Sequence, residues 1–132
     1  HIGVSNVTVR QLEAARRIVP IVSVQNRYSL ADRHAESVLD ACEREGLAFL
    51  PWFPLALGRL AAATGRLAEV ARSHGATPAQ VALAWLLRRS PVMAPIPGTS
   101  SMEHLEENVA AAELELTNDE FGGLSRTAES SL

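Results

Sequence analysis

Polar side chains follow the first two apolar runs of this sequence, and their types indicate what they could bind. Ser5 and Asn6 come after the first run, and Gln25 and Asn26 come after the second. A side-chain amide both donates and accepts hydrogen bonds, so Asn6 and Gln25 could hold an amide-bearing ligand in one orientation. Any one of these residues is equally typical of an ordinary turn after a strand. Their recurrence at successive run ends favours a binding site.

Two further run ends carry other chemistry. Trp52 follows the third apolar run and offers a flat face on which an aromatic ring can stack. Gly98, Thr99 and Ser100 follow the fourth run and precede a helical pattern, so free backbone N–H groups and hydroxyls meet there, as they do in phosphate sites. An amide, a ring and a phosphate together describe a nicotinamide dinucleotide, which is the ligand that these four run ends favour.

Four strands alternating with helices must position these residues. The apolar runs at residues 1–5, 21–24, 47–50 and 92–96 predict the strands. A hydroxyl residue followed three positions later by Gln or Glu predicts a helix start, and Asp32 predicts another as an N-cap, with Gly46 ending that helix. The pairs of the first kind are Thr8 with Gln11, Thr77 with Gln80, Ser100 with Glu103 and Thr117 with Glu120.

The alternation of strands and helices predicts an α/β fold. Helical crossovers between apolar strands are typical of a parallel sheet covered by helices. The 132 residues divided among four strand-helix units give 33 per unit, and a (β/α)8 barrel uses about 31. The glycine-rich phosphate turn of a doubly wound sheet is absent between Gly3 and Gly58. Half a barrel is therefore the expectation, with the doubly wound sheet as the alternative.

Composition excludes several classes of function. The formal net charge is −3, which argues against binding to nucleic acid or to an anionic membrane. All 12 basic residues are Arg, so no mechanism in this segment uses a lysine. Cys42 is the single cysteine, and its helical spacing predicts a core position and a reducing compartment, with the cytoplasm as the default.

Four motifs, in order and spacing, resemble the aldo-keto reductase family over essentially the whole chain. They are residues 3–6 (GVSN), residues 24–29 (VQNRYS), residues 51–55 (PWFPL) followed by Gly58, and residues 96–99 (IPGT) followed by residues 106–108 (EEN). The resemblance implies that residues 1–132 form the C-terminal half, four strand-helix units, of a (β/α)8 TIM barrel. NADP(H), with NAD(H) as the alternative, would lie across its C-terminal face.

The same resemblance implies a role for each matched position. Ser5, Asn6 and Gln25 would hold the nicotinamide carboxamide, and Trp52 would stack on the nicotinamide ring. Pro54, Leu55 and the loop to Gly58 would border the pyrophosphate. The adenosine end is matched by further positions, the 2′-phosphate site by Gly98, Ser100 and His104, and the adenine contacts by Glu107 and Asn108.

The resemblance also implies what this chain lacks. The family's catalytic Asp, Tyr, Lys and His belong to the first half of its barrel, and Tyr28, the only tyrosine here, matches none of them. We therefore expect the complete protein to reduce aldehydes or ketones to alcohols, and the 132-residue chain alone to be inactive. Its expected partners are a small carbonyl substrate and the N-terminal half of its own barrel.

Two other interpretations stay open from the sequence. The first is a dinucleotide-binding or protein-interaction module without turnover. The second is a helix-turn-helix DNA-binding unit at residues 67–86, although the would-be reading helix offers only Gln80 to a base edge. Farther along the chain, helical spacing predicts that four apolar side chains face the core: Met102, Leu105, Val109 and Ala112.

Overall fold

A parallel sheet forms the centre of the computed structural model, which describes residues 1–56 and 65–129. Within those residues three strands pair in chain order: β1 (Ile2–Ser5), β2 (Ile21–Gln25) and β3 (Ala48–Phe49). Both pairings are parallel, with Val4 opposite Val24 and Val24 opposite Phe49. Because each connection carries a helix, the predicted α/β class is confirmed.

The fourth predicted strand is reduced to a single bridge. Met93 pairs with Phe49 in parallel, through bonds from the Phe49 amide to the Val92 carbonyl and from the Ala94 amide to the Phe49 carbonyl, both 2.8 Å. Pro95 and Pro97 follow at once, and proline has no amide hydrogen to continue a ladder. The run still extends the sheet in chain order, as a barrel requires.

Helices fill every connection of the sheet. Capping boxes begin three of them as predicted, at Thr8, Thr77 and Thr117, where each hydroxyl accepts the backbone N–H three residues on. Gly46 ends α2 in the left-handed conformation, with φ 65°. The described helices are α1 (Val9–Arg16), α2 (Glu36–Glu45), α3 (Arg66–Ser73), α4 (Pro78–Arg89), α5 (Met102–Ala110), a 3-10 turn (Ala111–Glu113) and α6 (Asn118–Glu129).

Two predicted helix starts are wrong by a few residues. Helix α2 is preceded by Ala35, because Asp32 is held in a tight turn by two backbone hydrogen bonds with Ser29. Helix α5 is capped by Ser101 rather than Ser100, since the Ser101 hydroxyl accepts the His104 amide at 3.4 Å.

Helix α4 lies at the centre of the core. Seven of its twelve residues are buried, and the Trp85 ring stacks between Tyr28 and Phe121, at centroid distances of 6.4 and 5.6 Å. Gln80, the side chain of this helix that could address a base edge, donates instead to the Glu107 carbonyl, which argues against the helix-turn-helix interpretation. Cys42 is fully buried as predicted, and burial raises the pKa of its thiol to about 11.

An ion-pair network ties α4 to α2. The Arg89 guanidinium contacts Glu36 at 2.6 Å and Asp40 at 2.7 Å. Glu36 also accepts a hydrogen bond from the Tyr28 hydroxyl. Burial, and then the Glu36 carboxylate, raise the pKa of Tyr28 far above its ordinary value. The phenol therefore stays neutral and inside the core.

Helix α5 differs from its prediction. Three of the side chains expected to face the core are exposed instead: Met102 by 71%, Leu105 by 48% and Val109 by 67%. Ala112 is exposed as well, and its neighbour Ala111 takes the buried position. We refer to Met102, Leu105 and Val109 as the α5 stripe. Helical spacing identified one apolar face correctly, but the residues that the structure describes leave it largely exposed.

Candidate functional site

The first two strands and the segment after β3 bring four predicted residues together. The Ser5 hydroxyl and the backbone N–H of Asn6 both donate to the backbone carbonyl of Gln25, at 2.9 and 3.0 Å. The Trp52 indole N–H donates to the Asn6 side-chain oxygen at 2.9 Å. Ser5, Asn6, Gln25 and Trp52 are therefore connected by hydrogen bonds, and we call them the strand-end group.

The strand-end group keeps polar atoms available to a ligand. Ser5, Asn6 and Gln25 are exposed, and Trp52 is half-buried. Asn6 adopts a left-handed backbone with φ 53°, a conformation that asparagine tolerates better than most residues. This turn directs the chain from β1 into α1 and leaves the Asn6 side chain facing Trp52.

Asn26, although it also follows a strand, has a different role. Its side chain accepts the Val7 amide at 3.0 Å and donates to the Val7 carbonyl at 2.8 Å. Only 6% of its surface is exposed. Both ends of this amide thus serve to join two strand-to-helix connections, and Asn26 is a structural residue.

A groove of about 610 Å³ brings together six more predicted residues. Its size is within the range of small-molecule sites, and its lining combines apolar side chains with a few polar ones. The predicted residues that line it are Pro54, Leu55, Gly98, His104, Glu107 and Asn108, and the others are Phe53, Thr77, Pro78, Ala79, Ile96, Pro97 and Thr99.

The two long walls of the groove are the first turn of α4 and one side of α5. The Gln80 side chain donates to the Glu107 carbonyl at 3.2 Å and so connects the two helices directly. The sequence predicts Thr77 and Pro78 only as the start of a helix. The structure shows that they also line this wall of the groove. Sequence reasoning had no signal for that second role, because the neighbour across the groove is 27 residues away.

One predicted residue stands apart from the groove, and another belongs to the part of the chain that the structure does not describe. Among the described residues, Ser100 is exposed one position before the cap of α5 and outside the lining of the groove. Gly58 lies outside the residues that the structure describes. The segment that should lead to it is well placed, since Pro54 and Leu55 both line the groove.

The described part of the chain offers limited acid-base and metal chemistry. Tyr28 is buried, and its raised pKa keeps the hydroxyl from donating a proton at neutral pH. Within residues 1–56 and 65–129, no three His, Cys, Asp or Glu side chains are grouped as metal ligands. In the same residues, none of the helices has both the length and the apolar character that crossing a bilayer requires.

Comparison with known proteins places this geometry in context. The family model described as the Aldo/keto reductase family matches residues 1–129. Pyridoxine 4-dehydrogenase of Escherichia coli is 50% identical over 96% of this chain and 45% of its own length. An uncharacterised oxidoreductase of Schizosaccharomyces pombe is 47% identical over 98% of this chain and 42% of its own length. The chain thus spans about half the length of the curated relatives that it matches.

Solved structures agree in fold. An aldo/keto reductase of Klebsiella pneumoniae, crystallised with NADP and acetate, superposes with a TM-score of 0.88 at 30% identity, over 96% of this chain and 47% of that one. A thermostable aldo-keto reductase, crystallised with the inhibitor epalrestat, gives 0.86 at 36% identity over the same shares. The fold described here is therefore part of a (β/α)8 barrel.

Proposed function

This chain belongs to the aldo/keto reductase family, and from that premise we propose that it is the dinucleotide-binding half of an NADP(H)-dependent oxidoreductase that reduces aldehydes or ketones to alcohols. The Klebsiella pneumoniae relative crystallised with NADP supports the choice of cofactor. NAD(H) remains the alternative dinucleotide, which the cofactor titrations below distinguish.

The groove is the observation that carries this proposal. It joins three segments that are distant in sequence, namely the turn after β3, the start of α4 and the stretch 96–108 that leads into α5. Its chemistry fits a dinucleotide, since Pro54 and Leu55 supply apolar contact, while Thr99 and His104 supply groups that bind phosphate. The strand-end group adds the amide and aromatic contacts that a nicotinamide needs.

In this proposal the chain's own residues bind and orient. Asn6 and Gln25 fix the carboxamide, Trp52 covers one face of the ring, and the groove holds the adenosine end. The bound cofactor supplies the hydride. The proton that a carbonyl reduction also requires must come from elsewhere, because the Tyr28 phenol is buried against Glu36.

We further propose that the remaining strands of the barrel cover the α5 stripe. A lone set of four parallel runs has open edges, which natural folds avoid. Large apolar side chains exposed by 48 to 71% along one face are suited to an interface between packed elements. The same remaining half would carry the catalytic residues, so the 132-residue chain alone is expected to have no reductase activity.

Titration of the full-length protein with NADPH tests the binding site. Trp52→Ala should weaken NADPH binding by about 1 to 3 kcal/mol, the order of a lost aromatic stack with its buried area. Trp52→Phe keeps a ring at the position and should retain most of the affinity. Equal dissociation constants for the wild type and Trp52→Ala would remove Trp52 from the site.

A second titration tests the adenosine end. Gly98 and His104, the positions that the family resemblance assigns to the 2′-phosphate, carry no permanent positive charge, so the preference for NADPH over NADH should be modest. His104→Arg should increase the ratio of affinities about fivefold, as expected for ~1 kcal/mol from a charge-assisted contact. An unchanged ratio would place His104 away from the phosphate.

Turnover distinguishes the enzyme from a binding module. Pyridoxine and the aldehyde formed by its oxidation at C4 are the first substrates to test, because the relative of that name is 50% identical over nearly all of this chain. NADPH oxidation that depends on the aldehyde would support the enzyme. Tight NADPH binding without turnover of any aldehyde or ketone tested would favour the module.

A further inference from the structure

A cation lies against the aromatic pair that follows β3. The Arg27 guanidinium is 4.7 Å from the Phe53 ring centroid and 6.0 Å from that of Trp52. These distances are within the range of cation–π attraction. The two rings meet edge to face at 5.9 Å. Arg27, two residues after the end of β2, therefore contacts Trp52 of the strand-end group.

A carboxylate holds this guanidinium in place. Asp32 contacts the Arg27 Nε at 2.8 Å, and its second oxygen is 2.5 Å from the His34 ring nitrogen. Burial by itself raises the pKa of Asp32, but hydrogen bonds from His34 and the charge of Arg27 outweigh it and keep the pKa below its ordinary value. Asp32 is thus ionised at neutral pH. Two backbone bonds between Ser29 and Asp32 fix the turn that carries it.

The backbone joins the same two segments. Arg27 forms a parallel bridge with Trp52, in which the Trp52 amide donates to the Asn26 carbonyl and the Tyr28 amide donates to the Trp52 carbonyl. Just beyond this bridge, Phe53 has a φ of 66°, in a region that bulky residues rarely adopt. Such a conformation persists only where its surroundings hold it, and the Arg27 side chain is one of the groups that contact Phe53.

We infer that Arg27, held by Asp32, is a positioning residue: it clamps the Trp52–Phe53 turn and so orients the Trp52 ring toward the nicotinamide end of the dinucleotide. The inference rests on the proposed function, since it names the ligand end that Trp52 serves. It adds two residues, Arg27 and Asp32, that do not themselves line the groove. The clamp acts on the strand-end group, and the adenosine end should not depend on it.

Two half-ligands separate these ends in the full-length protein. Nicotinamide mononucleotide in its reduced form probes the strand-end group, and adenosine 2′,5′-bisphosphate probes the groove. Arg27→Gln should weaken binding of the reduced mononucleotide about 2- to 5-fold, the equivalent of one partly exposed cation–π contact. Binding of the bisphosphate should stay the same. Isothermal titration calorimetry measures both dissociation constants.

Matched variants sharpen the test. Asp32→Asn should give the same selective loss, because it releases the guanidinium without removing it. Arg27→Lys keeps the charge but not the planar group, so its loss should lie between those of the wild type and Arg27→Gln. Arg17→Gln removes an exposed arginine at the end of α1 and should change neither constant.

The outcomes are distinct. Selective weakening of the mononucleotide, with an unchanged midpoint of thermal unfolding, supports the clamp. Equal weakening of both half-ligands, or no change in either, overturns it while leaving the proposed function in place if the wild type binds NADPH. A wild-type protein that binds neither NADPH nor the half-ligands overturns both proposals.

Discussion

Helices α4 and α5 form facing walls of one groove, yet they are supported very differently. Both begin after a hydroxyl cap, at Thr77 and Ser101, and both contribute side chains to the lining. Helix α4 buries seven of its twelve residues, whereas all nine residues of α5 keep part of their surface exposed. One wall is thus part of the core, and the other rests on its margin.

The difference shows how stability and binding are distributed in this fold. The groove wall made by α4 is fixed before any ligand arrives, because Trp85 and its aromatic neighbours anchor the helix. The wall made by α5 is joined to it by the Gln80–Glu107 hydrogen bond. The apolar side chains of the α5 stripe are exposed. We therefore expect packing of a further element or a ligand beside the groove to stabilise α5 more than α4. The following predictions test that contrast in the full-length protein.

The largest effect should come from the anchor of α4. Trp85→Ala removes a fully buried ring between Tyr28 and Phe121 and should lower the free energy of unfolding by about 3 to 5 kcal/mol. Chemical denaturation followed by circular dichroism measures the loss. A cost below about 1 kcal/mol would mean that α4 is not the anchored wall.

A matched pair of valines compares the two helices directly. Val81 on α4 is fully buried, so Val81→Ala should cost about 2 kcal/mol. Val109 on α5 is 67% exposed in this chain. If the remaining barrel covers the α5 stripe, Val109→Ala should cost more than ~1 kcal/mol, whereas an exposed surface site rarely exceeds about 0.5 kcal/mol. A cost near zero would show that the α5 stripe is uncovered.

Stability at alkaline pH tests whether water reaches Tyr28 in the core beside α4. Tyr28 is neutral in the folded state with a raised pKa, while in the unfolded state it ionises near its ordinary pKa of about 10. Its contribution to stability is therefore complete below pH 10 and is lost as the pH rises, by about 1.4 kcal/mol per pH unit. Tyr28→Phe should remove this part of the alkaline loss. Identical alkaline stability curves for the two proteins would show that Tyr28 is in contact with water.

The smallest contrast concerns the caps. Thr77 completes a capping box, and Thr77→Ala should cost about 1 kcal/mol. Ser101 accepts its bond at 3.4 Å, close to the 3.3 Å at Thr77, but the third residue on is His104, which cannot complete a capping box, so Ser101→Ala should cost less than Thr77→Ala. Equal losses of unfolding free energy at the two caps, measured by denaturant unfolding, would indicate that the two caps stabilise their helices equally.

Local signals in the sequence predicted the fold well. Capping at Thr8, Thr77 and Thr117 depends on residues within three positions of each other, so the sequence contains the whole interaction. The alternation of strands and helices likewise gave the parallel topology. The cap of α5 was assigned one residue too early because two serines stand side by side and only the backbone decides between them.

Long-range features were beyond the reach of the sequence. Spacing marked Met102, Leu105 and Val109 as one face, but it cannot tell what lies opposite that face. Asn26 resembled the other polar residues at strand ends, and only its bonds to Val7, 19 residues away, show that it is structural. The contact of Arg27 with Phe53 depends equally on two segments meeting in space. The six predicted residues that line the groove were assigned by the resemblance to the aldo-keto reductase family, and half of them lie on α5 rather than at strand ends.

The left-handed turn at Phe53 has a consequence for engineering this protein. Phe53, with Asn6 and Ala56, adopts a positive φ beside the proposed binding site, and such a backbone costs a non-glycine residue roughly 1 kcal/mol or more. Glycine at Ala56 would relieve that cost while loosening the rim that shapes the ligand's path, whereas glycine at Phe53 would also remove the ring that Arg27 and Trp52 contact. Selection for thermostability alone would therefore weaken ligand binding at these turns. A screen for thermostable variants should keep these residues fixed and vary residues of α2 and α4 instead.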